Sequence, residues 1–116
     1  MRMSALAATV VLAALHGAAV HAGDLRRSLE VDGRRRSYLV HVPPGNDRAT
    51  PLPLVLAFHG GGANAATMVL FSGLNDKADE AGFLVVYPEG SGRLERMLTF
   101  NAGNCCGYAA AENIDD

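Results

Sequence analysis

The chain has 116 residues, 49% of them hydrophobic, and a formal net charge of −2. That apolar content excludes a chain disordered by composition, and the mild acidity argues against nucleic-acid binding as the main role. At this length one small domain is the upper bound.

The N-terminus reads as a segment apart. Arg2 gives a short basic start, Ala5 to Leu15 is an apolar run, and Val20-His21-Ala22 supplies small residues where a signal peptidase cleaves. We assign residues 1–22 to a signal peptide. A membrane anchor is the weaker reading, because His16 and Gly17 interrupt the run and Ala-rich sequence inserts poorly. A secreted or periplasmic location follows as an expectation. Residues 23–116 then hold nine Lys and Arg against twelve Asp and Glu.

Leu25–Val31 alternates apolar and polar residues, and so does Tyr38–Val42. Asp32-Gly33 between them is a type I′ turn signal, so a β-hairpin is predicted, ending at Pro43-Pro44. Arg34–Arg36 reads as the solvated start of the second strand, and His41 as a strand residue and not a ligand. After the polar loop Gly45–Thr50, Leu52–Phe58 is apolar at nearly every position, the pattern of a strand buried on both faces. Phe83–Tyr87 reads alike. Between these runs, Asn64 can cap a turn over Ala65–Leu70, and Ser72 a second helix with Leu74, Ala78 and Ala81 on one face and Asp76, Lys77, Asp79 and Glu80 on the other. Gly82 stands where a left-handed C-terminal cap belongs. The fold class is therefore α/β: a hairpin, then a strand–helix–strand unit with a right-handed crossover.

Beyond Pro88 the periodicity fades. Gly90–Gly107 reads as a long loop over the carboxyl ends of the strands, and Ala109–Glu112 as a short helix. Cys105 and Cys106 are disulfide candidates. Neighbouring Cα atoms lie ~3.8 Å apart, below the usual disulfide range of about 4.4–6.8 Å. Pairing of at least one with a distant cysteine outside this chain is the expectation, with a bond between neighbours as the alternative. No His or further Cys stands at ligand spacing, so no metal site is expected.

The most informative stretch is His59-Gly60-Gly61-Gly62, directly after the apolar run. Glycines there allow positive φ and close approach of backbone N–H groups to a ligand. Aimed at a carbonyl carbon under attack, such N–H groups stabilise the developing oxyanion without reorganising. Gly61 and Gly62 are the candidate donors, with Gly60 allowing the turn and His59 bracing the loop. A plain strand-to-helix turn and a phosphate loop are the rivals. The spacing fits neither G-x-G-x-x-G nor G-x-x-x-x-G-K-[ST]. The companion motif G-x-S-x-G is absent from the 116 residues, and Gly90-Ser91-Gly92 has the wrong spacing.

Taken in order, the hairpin, Pro51-Leu52-Pro53 to Gly62, Ser72-Gly73-Leu74-Asn75 with Ala78-Asp79, Gly82-Phe83 to Tyr87-Pro88-Glu89-Gly90, Phe100-Asn101-Ala102-Gly103, Cys105-Cys106-Gly107 and Asn113-Ile114-Asp115-Asp116 form an ordered set. This set resembles the secreted polyhydroxybutyrate depolymerase and feruloyl or acetylxylan esterase group of α/β-hydrolases, over about Leu25–Asp116. Phe100 departs from that group, which usually shows Trp there. The resemblance implies a serine esterase with a Ser-His-Asp triad, needing no cofactor, whose substrate is a polyester or an esterified plant polysaccharide. It also implies that residues 23–116 are the N-terminal portion of the catalytic domain, an incomplete sheet that stops before the nucleophile elbow. Nucleophile, acid and base would then lie outside these residues, since neither Ser72 nor Ser91 sits on an elbow. No nucleic-acid partner, and no membrane after signal cleavage, is expected. The alternative is a non-catalytic secreted binding protein with an esterase-like loop; another α/β-hydrolase branch, such as a peptidase or thioesterase, is a weaker one.

Overall fold

A computed structural model describes residues 23–116; the signal-peptide assignment lies outside the described residues. Strands β1 (Gly23–Val31) and β2 (Arg34–Val42) pair antiparallel from Gly23↔Val42 to Val31↔Arg34. Asp32 (φ 50°) and Gly33 (φ 73°) close the hairpin with both central residues left-handed, the type I′ geometry that matches strand twist. Then follow β3 (Leu54–Leu56), α1 (Ala65–Ser72), α2 (Leu74–Ala81), β4 (Leu84–Pro88) and α3 (Gly107–Ala111). The sheet order is β1-β2-β4-β3. β3 lies parallel to β4, and the hairpin joins the sheet through antiparallel β2–β4 pairing, Tyr38↔Pro88 to His41↔Val85. This is a mixed α/β fold with a four-stranded sheet.

The expected strand Leu52–Phe58 is shorter and less buried than its composition suggests. β3 sits at the sheet edge and its ladder stops at Leu56↔Val86, two residues before β4 ends, with Pro53 and Ala57 adding one backbone bond each to Leu84 and Val86, both 2.8 Å. Leu54, Leu56 and Phe58 are 57%, 55% and 55% exposed, whereas the intervening Ala57 and His59 are buried. Burial on both faces is thus corrected: among the described residues one face of β3 is covered and the other is open.

The covered face carries the core. Leu39, Ala57, Ala65, Ala78, Val85 and Tyr87 form it, with Met68, Val69, Leu74 and Phe83 packed against it. Alanines at 57, 65 and 78 leave room for the helices to lie close to the sheet. Asn64 caps α1 as expected. Its side chain accepts from the Thr67 N–H at 2.9 Å, and the Thr67 hydroxyl accepts from the Asn64 N–H at 2.9 Å, a reciprocal box that stabilises by about 1 kcal/mol. Ser72, expected to cap α2, is instead the last residue of α1. Gly73 (φ 63°) takes the cap position of both helices, because a left-handed residue both ends α1 and redirects the chain. The Ser72 hydroxyl still accepts from the Leu74 N–H at 3.3 Å. Gly82 (φ 73°) closes α2 through its N–H to the Ala78 carbonyl at 2.8 Å.

A polar network crosses the sheet–helix boundary. The buried His41 ring sits between two carboxylates, Nδ1 3.1 Å from Asp24 Oδ1 and Nε2 2.8 Å from Asp79 Oδ1. Carboxylates only accept, so both contacts are hydrogen bonds when both ring nitrogens carry protons. Asn75 donates to Asp24 at 2.9 Å and accepts from the Tyr87 hydroxyl at 2.7 Å. Burial pushes the Tyr87 phenol above the ordinary tyrosine value. His41 is thus a strand residue held by β1 and α2, and no cluster of three ligating side chains fit for a metal occurs among the described residues.

Candidate functional site: the glycine loop after β3

The loop begins where β3 leaves the sheet. His59 is buried, its Nδ1 2.8 Å from the Gly60 carbonyl and its Nε2 3.1 Å from the Gly90 nitrogen. A backbone N–H can only donate, so Nε2 is the acceptor, and the ring proton on Nδ1 points at Gly60. Both nitrogens are therefore committed to backbone, and the ring works as a brace. Phe100 packs on it at 4.7 Å between centroids and meets Phe58 edge-on at 5.3 Å. Phe100 thus forms an aromatic wall at the base of the loop.

The glycines divide into different roles. The Gly60 carbonyl also accepts from the Ala63 N–H at 3.2 Å, which closes the turn. Gly62 (φ 79°) spends its N–H on the Leu98 carbonyl at 2.9 Å. The Gly61 N–H has no hydrogen-bond partner among the described residues, and Gly61 is exposed. A Cβ on Gly61 would lie 3.9 Å from the Cys106 Cβ, an ordinary contact. Of the two expected donors, Gly61 is the one whose N–H is open.

The segment after β4, expected to lack regular structure, forms a small strap. Ser91 and Thr99 bridge antiparallel through bonds of 2.8 and 2.9 Å, and Leu98 bridges to Ala63 beside the loop. The signal that sequence reasoning missed is glycine at close approach. A Cβ on Gly90 would sit 2.5 Å from the Thr99 carbonyl oxygen, and one on Gly92 2.6 Å from that of Met97. Only glycine admits the strap at those distances. The Thr99 hydroxyl accepts from the Ala109 N–H at 3.0 Å near the start of α3, which begins two residues earlier than expected. Asp116 accepts from the Asn101 N–H and pairs with Arg36, fixing the last residues against β2. The neighbouring Cys105 and Cys106 sulfurs lie against each other, with Cys106 beside Gly61.

Glu89, at the carboxyl end of β4, joins strand to helix. One oxygen accepts from the Ala65 N–H in the first turn of α1 at 2.9 Å, and the other meets Arg26 at 3.4 Å. A carboxylate at a helix N-terminus complements the positive end of the dipole. The arrangement supplies an exposed backbone donor at the carboxyl end of an edge strand, where ligands of open α/β sheets bind.

No family model matches the chain. It is similar to a protein of Nocardia uniformis subsp. tsuyamanensis named "Putative esterase NocK", 46% identical over 66 residues. That segment is 55% of this chain and 19% of the relative, so the chain matches about a fifth of that protein's length. The likeness supports an esterase-like relationship over that segment.

Proposed function

We propose that this chain carries the oxyanion loop of a secreted serine esterase acting on polyhydroxyalkanoate, feruloyl-polysaccharide or acetyl-polysaccharide esters. The observation that carries this reading is the open Gly61 N–H at the end of β3, in a loop braced by His59 and Leu98. The ester carbonyl oxygen would accept from Gly61 as it gains charge. In esterases built this way the second donor is the N–H after the nucleophile. The serine, its general base and the acid would lie outside residues 23–116, since His59 has both nitrogens engaged. The likeness to an esterase over 66 residues supports the same reading.

The test is a pair of substitutions in the full-length protein, assayed on 4-nitrophenyl acetate. Gly61→Ala keeps the N–H and meets only an ordinary contact, so activity should be retained. Gly61→Pro removes the N–H, and kcat should fall about 100- to 1,000-fold with KM little changed. Equal activity in the two variants overturns the assignment.

A further inference from the structure

Beside the glycine loop, the strap and the hairpin enclose an open groove of about 760 Å³, within the ~300–1,000 Å³ range of small-ligand sites. Its wall is strongly and unevenly charged: Arg26, Arg34, Arg35 and Arg96 face it, together with Glu89 and Glu95. Arg26 is tied to Glu89, and Arg35 donates to the Ser28 hydroxyl at 3.2 Å. The Arg34 and Arg96 side chains make no hydrogen bond or ion pair among the described residues, so two planar guanidinium forks are uncommitted. Asn64 uses its side-chain oxygen in the α1 cap and keeps its NH₂ free at the same wall.

We propose that this groove binds a uronate-bearing polysaccharide, with Arg34 and Arg96 pairing sugar carboxylates and Asn64 donating to hydroxyls. Guanidinium forks match carboxylate oxygens in bidentate geometry. The two glutamates decide against a denser polyanion. A nucleic-acid or polyphosphate chain would bring closely spaced charges against Glu89 and Glu95. A glycan with at most one carboxylate per ring has neutral hydroxyls to place there, and these can donate to the glutamates. Tyr108 adds an aromatic surface to the wall. Leu98 connects groove to loop, lining the one and holding the Gly62 N–H of the other. Asn64 and Leu98 thus place one end of the groove next to the glycine loop. The proposal deepens the esterase reading, on which its standing as a substrate groove rests, and selects acidic polysaccharide esters over polyesters.

Isothermal titration of the full-length protein with de-esterified oligogalacturonate, and with a neutral xylo-oligosaccharide of equal length, tests it. The acidic chain should bind at least tenfold more tightly, and the R34Q/R96Q double variant should lose at least that factor. Glu95→Gln should narrow the margin by which the acidic glycan outbinds single-stranded DNA, a change that a folding defect cannot imitate. Equal affinity for the two oligosaccharides, no loss in the double variant, or tighter binding of single-stranded DNA overturns the groove assignment. Absence of small-ester turnover in the unsubstituted protein overturns the esterase reading instead, and leaves the titration to stand by itself.

Discussion

His59 accepts the amide proton of Gly90 at 3.1 Å, a bond that ties the carboxyl end of β3 to the carboxyl end of β4. The imidazole thus replaces a backbone ladder that has already ended. His59→Ala would leave the Gly90 N–H without that partner and remove the ring on which Phe100 packs. Urea denaturation should show a loss of about 1–3 kcal/mol. A midpoint unchanged from that of the unsubstituted protein would show that the bond contributes nothing to stability.

Three glycine-to-alanine changes should rank by local geometry. Gly90→Ala drives a Cβ to 2.5 Å from the Thr99 backbone oxygen and should cost the most, at least 1–3 kcal/mol by about the usual overpacking penalty. Gly62→Ala has open space but φ of 79°, and should cost about 1–2 kcal/mol. Gly60→Ala meets no atom within 4 Å and has no positive φ, so it should be nearly neutral. Thermal midpoints in the reverse order would contradict the packing of the strap against the loop.

Alkali should weaken the fold through Tyr87. Its phenol is pushed up chiefly by burial, with the Asp24 charge adding to the effect, so the native state favours the protonated form. The stabilisation is complete below the unfolded tyrosine value, about 10, and is lost as pH rises through the higher folded value. The thermal midpoint should therefore decline above about pH 10. In Tyr87→Phe that decline should flatten, after an initial loss of about 1 kcal/mol for the bond to Asn75. An unaltered alkaline limb in the variant would remove Tyr87 as its source.

The open face of β3 should make residues 23–116 self-associate when produced alone. Leu54, Leu56 and Phe58 line an unpaired edge strand, the arrangement that invites strand addition. Leu56→Lys places a charge on that face and should shift sedimentation toward monomer. A monodisperse unsubstituted fragment would contradict this.

Local signals were readable from sequence because each acts within a few residues. Asp32-Gly33, Asn64 and Gly82 took the conformations their chemistry favours. Long-range partners were not readable. Periodicity marks β2 and β4 as strands but carries no information on their mutual register, so the placing of His41 between Asp24 and Asp79 was out of reach. An apolar run likewise cannot show which face is covered, hence the misjudged burial of Leu54 and Leu56. At the site, His-Gly-Gly-Gly was legible as a motif. Which glycine keeps its N–H open depends on the Leu98 carbonyl, delivered by a strap whose sequence has no period.

Gly73 serves two helices with one left-handed residue. α1 and α2 therefore share a pivot with no intervening linker to absorb displacement. At its far end α1 is held through the amide of Ala65 by Glu89, and α2 holds His41 through Asp79. Gly73 thereby fixes the spacing between the glycine-loop end of α1 and the contact of α2 with the β1–β2 hairpin.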